Sequence, residues 1–217
     1  SLKIKQIELD AELKFITNRP EIKELYEYAR SKNKQIFLVS DMYLSRNFIL
    51  KLLRKAGYSE IKLDQILVSS EFGKLKFDGK LFEELINIAG TKDILHIGDT
   101  FKVDTKGARS VGLKGYYCEN AHSEFIKIPE ISKLFGRYLR APEKKMGLSL
   151  SLEIFANSLL RNIHPSKIYN RESLFDGKAY NIGFMGLGIF LVSFCLWLKE
   201  YSERNNIRNL YFLARDG

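Results

Sequence analysis

Cysteine is nearly missing: Cys118 and Cys195 are the only two in 217 residues and lie far apart. That excludes a disulfide-stapled scaffold and fits a reducing, cytoplasmic setting. Proline is scarce at 4, while aromatics reach 12% and apolar residues 45%, which excludes disorder for the bulk and leaves ample material for a core. No secretory signal opens the chain. There is no zinc-ligand spacing and no aromatic RNA-binding signature. No single arm holds the net charge of +9. Lys-rich solvated helix faces account for the excess, so nucleic acid is not an expected partner. The densest basic stretch, Lys133, Arg137, Arg140, Lys144 and Lys145, has the composition of a linker. The chain starts on Ser1 rather than Met and stops at Gly217 just after an apolar run, which predicts a piece of a longer protein.

What the chain does contain is an alternation. Apolar residues at helical spacing from Lys3 to Ile16 predict one helix, and Pro20 opens a second with Ile22, Leu25, Tyr26 and Ala29 on one face. Short apolar strands are then predicted at 36–39, 66–68, 94–97 and 115–118. Helices at 48–56, 81–89 and 103–111 separate them, each closed by a glycine (Gly57, Gly90 and Gly112). Such a pattern predicts an α/β, Rossmann-like parallel sheet with helices on both faces. The expected organisation is a helical segment over 1–33, an α/β core over 34–128, a helix and basic linker over 129–148, and over 149–217 the start of a second α/β module. The longest uncharged run, Ala179 to Leu198, meets the length of a membrane span. Its Asn181, Ser193 and glycines at 183, 186 and 188, with an apolar strand expected at 210–213, predict a buried core helix instead. A membrane span is therefore not expected.

Ligands of open α/β sheets sit at the carboxyl ends of the strands. After the first predicted strand come Ser40, Asp41 and Met42, a hydroxyl beside the amides of a coming helix, suited to an anionic oxygen. After the second come Lys74 and Lys76 within Ser70 to Gly79, either of which places a compact positive charge near the strand ends. After the third come Asp99 and Asp104, two carboxylates five apart that suit a hard cation with oxygen ligands.

Taken in this order, the three features resemble the haloacid dehalogenase-like superfamily of magnesium-dependent phosphotransferases. Phe37-Leu38-Val39-Ser40 matches its second motif, a lysine in Ser70 to Gly79 its third, and Gly98-Asp99 through Asp104 its fourth. The segments 40–44 and 73–82 are similar to a bacterial subgroup of multidomain proteins associated with surface-polysaccharide glycosyltransferases. The resemblance covers about residues 20 to 120. It implies catalysis through an aspartyl-phosphate on a phosphorylated small molecule, a sugar phosphate among the options, with Mg2+ as cofactor and glycosyltransferase modules as possible associates. By position it makes Ser40 and Lys76 catalytic, with Lys74 the alternative lysine. Ser40, Asp41, Met42 and Lys76 become substrate-binding, and Asp99 and Asp104 the metal residues. Residues 1–33 become the end of a helical cap insertion. The segment 211–217 resembles the opening of a second module, in which Asp216 is either a site residue or part of an Asp-Gly turn.

One departure stands out. The family's first motif, a central strand ending in Asp-x-Asp that supplies the nucleophile, has no counterpart before residue 36. The nearest acidic pair, Asp10 and Glu12, falls in a helical pattern. The alternative is a non-catalytic binding module of a polysaccharide-assembly protein. Residues 1–217 with magnesium are expected to release no product from a generic aryl phosphate, and measurable turnover by the purified chain would refute the missing-nucleophile reading.

Overall fold

The computed structural model describes residues 2–133, 146–161 and 178–212. The chain forms two compact units, residues 1–124 and 125–217, taken here one at a time.

The first unit opens with α1 (Leu2–Phe15) and α2 (Pro20–Ser31), the latter with Pro20 in its first turn, where a missing N–H costs nothing. β1 (Leu38–Ser40) follows, then α3 (Arg46–Lys55), whose first turn is capped by the Ser45 hydroxyl accepting from the Phe48 amide. β2 (Ile66–Val68) runs straight into α4 (Ser69–Phe72), and α5 (Lys80–Ala89) ends on Gly90 in the left-handed region. β3 (Leu95–Gly98) leads into a single wide π-helical turn at Phe101–Lys106, continued by the short α6 (Gly107–Ser110). β4 (Lys114–Tyr117) and α7 (Ala121–Phe125) come last.

The fold is mixed α/β, as the alternation predicts, with two small parallel sheets among the described residues rather than one full Rossmann-like sheet. The four strands form two parallel pairs, β1 with β2 and β3 with β4. Each strand thus has one ladder partner, so all four keep one unpaired edge among the described residues. Strand alternation explains how two cores cover these ladders. Ile66 and Val68 face one core together with Tyr26, Leu44, Ile49 and Leu52, and α1 adds Leu9 and Leu13 to it. Leu67 faces the other, with Leu81, Phe82, Leu85, Ala108 and Leu113. Val39 of β1 and Ile94, just ahead of β3, both pack against this second core, which therefore serves both ladders. Only the first ladder is covered on both faces. On the second, Leu95 and Tyr116 share the outward face, each 57% exposed. The helices of 1–33, expected as a cap remnant, lie in this same unit, with Tyr26 in its core.

In the second unit, α8 (Met146–Arg161) buries Leu152, Ala156 and Leu159, one stripe at helical spacing. The uncharged run forms α9 (Ala179–Ile182), a π-helical stretch at Gly183–Gly188 and α10 (Ile189–Arg204), together one helix of 26 residues. By length and composition it is the one described helix able to cross a membrane. Its expected burial is corrected: none of its apolar window is buried, and Phe190, Leu196 and Trp197 are exposed. The strand predicted at 210–213 is corrected as well. Leu210, Tyr211 and Phe212 adopt no regular structure, because no strand among the described residues of this unit offers them a ladder. Most of the basic linker, with Asp216 and the segment 213–217, lies outside the described residues.

Leu67 is completely buried and touched from both ladders' shared core, so its truncation leaves a cavity that little can fill. Leu67→Ala is expected to cost about 3 kcal/mol, read as a lower urea midpoint by far-UV circular dichroism; an unchanged midpoint would refute the shared-core account.

Candidate functional site

Ser40, Asp41, Met42 and Asp99 lie at carboxyl ends of strands and Lys74, Lys76 and Asp104 on the segments that follow them, and hydrogen bonds draw these segments together. The segment after β1 is tied to the start of α4. The Met42 amide donates to Ser69 Oγ at 3.0 Å, and the Ser70 amide donates to the Met42 carbonyl at 3.3 Å. Met42's amide is thereby used internally, and its side chain packs against the first core. Ser40 closes β1, is half-buried, and its hydroxyl has no hydrogen-bond partner among the described residues.

Asp41 is exposed, and its carboxylate accepts the Lys76 backbone N–H at 3.0 and 3.2 Å. This bond brings the loop between α4 and α5 onto the tip of β1. The Lys76 carbonyl is fixed from the other side: a Cβ on Gly107 would stand 2.5 Å from it, so only glycine lets α6 approach this closely. Gly79, at φ +80°, receives its own turn by donating its N–H to that carbonyl at 3.0 Å. With its backbone held at both ends, Lys76 sends Nζ to Asp104 Oδ1 at 2.5 Å. The two lysines left open by the sequence are thus placed apart. Lys76 has 13% of its side chain exposed and pairs with the buried Asp104, whereas Lys74 pairs with Glu84 and is 39% exposed.

Asp104 is the most enclosed charge of the group, with 4% of its side chain exposed. Oδ1 accepts from Lys76 and lies 3.1 Å from His96 Nε2, and Oδ2 accepts the Thr100 amide at 2.9 Å. Burial alone would push this carboxyl up. The hydrogen bonds from His96, Lys76 and Thr100, with the lysine's charge, overcome that and hold it well below the usual carboxylate range. The wide turn at 101–106 replaces the ordinary helix predicted from 103 because it lays Asp104 against β3. A Cβ on Gly98 would collide with the carboxyl group itself.

Asp99 follows β3 on the open side, 47% exposed, with Arg19 Nη1 at 3.9 Å from Oδ2. Arg19 comes from the start of α2. It also binds Glu21 at 2.7 Å, Cys118 Sγ at 3.3 Å and the Glu119 carbonyl at 3.1 Å. Burial disfavours its charge, but Glu21, Cys118 and Asp99 outweigh that and raise its pKa above the ordinary value.

As a metal centre this set is incomplete. Among the described residues no group of three or more acidic, histidine or cysteine side chains is positioned around one point. Asp104 already spends both oxygens on internal donors, and Asp99 alone is a single ligand, short of the six oxygens magnesium asks for. The chain's own residues do not fit a self-contained magnesium site. Three participants escaped the sequence reading. His96 stands among apolar strand residues, yet strand alternation places it on the face of Gly98, which is the face Asp104 approaches. Thr100 and Arg19 act through a backbone amide and a long side chain, and neither leaves a local signal. No protein-family profile matches the chain, and no curated protein matches it in sequence.

Because Asp104 titrates lower in the folded protein than in the unfolded chain, its stabilising effect is complete above the ordinary carboxylate pKa. It is lost as pH falls toward the depressed folded value. Asp104→Asn is therefore expected to flatten the acid limb of the stability–pH curve below about pH 4, measured by urea melts across pH. An acid limb identical to that of the unmodified protein would contradict the assignment.

Proposed function

We propose that the strand-end cluster of the first unit is a phosphoryl-binding site of the haloacid dehalogenase type. The intact activity is hydrolysis or transfer of a phosphoryl group from a phosphorylated small molecule, a sugar phosphate among the candidates. The observation that carries this reading is the state of Lys76. It is a nearly enclosed ammonium, held by Asp104 through one bond, whose other two N–H donors have no partner among the described residues. The Ser40 hydroxyl, equally without a partner, ends the neighbouring strand. A phosphoryl group offers acceptor oxygens for both donors, and a positioned ammonium stabilises charge that builds on those oxygens as the bond to phosphorus changes.

In this reading a carboxylate oxygen attacks phosphorus and expels the alcohol of the ester, giving an aspartyl-phosphate. Water then attacks the same phosphorus, releasing inorganic phosphate and restoring the carboxylate. No residue of the chain is assigned as that nucleophile. Both ladders keep unpaired edges among the described residues, and a further strand pairing with one of them would bring it. Mg2+ enters the proposal through the resemblance, with Asp99 as one exposed carboxylate; its further ligands would have to come from beyond the residues described. Ser40 and Lys76 are the groups that contact the phosphoryl oxygens. Asp41 shapes the loop that carries Lys76.

The saturation of both Asp104 oxygens favours a second reading, a module that binds a phosphorylated ligand without turning it over. Both readings predict that inorganic phosphate binds the chain and that Lys76→Ala weakens it by about tenfold or more, one charge-assisted contact. Lys74→Ala is expected to leave affinity nearly unchanged. Isothermal titration decides: equal affinity in the Lys76 variant, or no phosphate binding by the unmodified protein, overturns the site.

A further inference from the structure

We infer that His96 is a positioning residue for the Lys76 ammonium, acting through the oxygen of Asp104 that the two share. The inference rests on the phosphoryl-site reading above and names a residue that reading does not use. Both Asp104 oxygens already accept, Oδ1 from the Lys76 ammonium and Oδ2 from the Thr100 amide, so the proton between the two side chains is placed on His96 Nε2. Oδ1 therefore takes two donors, Lys76 Nζ at 2.5 Å and His96 Nε2 at 3.1 Å, while Oδ2 takes the Thr100 amide.

The three donors come from three places: the loop before α5, β3, and the turn after β3. With Thr100 alone, the carboxylate could turn about its Cβ–Cγ bond and the long lysine chain would follow it. His96 closes that freedom. Its own ring is fixed, because it packs edge-to-face on the fully buried Phe82 with centroids 4.7 Å apart, and its side chain is 11% exposed. Filling space does not require a histidine here, since the position two residues back on the same strand face is Ile94, packed against the same core. What the imidazole adds is a donor at a fixed place, and a lysine ammonium, with its flexible stem, gains most from a carboxylate that does not move.

The test uses the full chain, with inorganic phosphate as the probe and a second measurement made without ligand. His96→Phe keeps a ring against Phe82 and removes the donor; His96→Leu removes the donor with less bulk. His96→Gln keeps an N–H near the position of Nε2 and removes the ring. The ligand-free measurement is the 15N-correlated NMR signal of the Lys76 ammonium, assigned by its loss in Lys76→Ala. The Phe and Leu variants are expected to bind phosphate about tenfold more weakly and to lose the ammonium signal to broadening. The Gln variant is expected to recover both. Retention of affinity and signal in the Phe and Leu variants overturns the inference, and so does a Gln variant that behaves like them, since only a donor role predicts rescue. If the unmodified protein binds no phosphate, the phosphoryl reading falls, and the ammonium signal across the same variants still decides the role of His96.

Discussion

A carboxylate as enclosed as Asp104 persists in its charged form only because three donors converge on it from separate parts of the chain. Removing a carboxylate from water costs several kcal/mol in practice, and the Lys76 ammonium, the His96 imidazole and the Thr100 amide together offset that cost. The rest of the strand-end region follows from meeting this requirement. The loop before α5 must come close enough for Lys76 to reach, which Asp41 ensures from the tip of β1. The chain after β3 must turn widely enough to lay Asp104 on the strand, which the π-helical turn does. The three strand ends are thus joined by one polar chain running from Asp41 through Lys76 to Asp104.

Much of the local structure was legible because it follows from short-range rules. The run Ile66–Val68 forms β2 at the predicted residues, and α5 ends at the predicted glycine, since continuous apolar strands and left-handed caps depend little on distant contacts. β1 begins two residues later than predicted. The Ile36 carbonyl is taken by the Gln65 side chain, which withdraws it from the ladder. Lys76, Asp99 and Asp104 were found by their place after a strand, but their different situations were not. Burial and pairing of Asp104 arise from residues 28 and 8 positions away, beyond any local pattern.

How the pieces combine is less legible. Alternating strands and helices specify the elements but not which edges meet, and the described strands stand as two ladders. The half-buried state of β1 beside the fully buried β2 carries the same information in another form. Both strands alternate between the same two cores, yet only β2 is closed off completely. The uncharged helix of the second unit shows the same limit: hydropathy gave its apolar run over 179–198, the helix continues to Arg204, and what covers it was left open.

Gly98, Gly107 and Gly115 each sit where a side chain would strike a neighbouring segment: the Asp104 carboxyl, the Lys76 carbonyl and, at 2.7 Å, the Thr105 carbonyl. None of the three has a side chain or carries a charge. They set how closely the wide turn and α6 can lie against β3, β4 and the lysine loop, so they limit substitution through space alone. Sequence drift in such a fold has unequal freedom. The exposed Asp99 can be exchanged without rebuilding the backbone, whereas these glycines cannot, and their spacing of nine and eight residues is the tighter constraint on the fold.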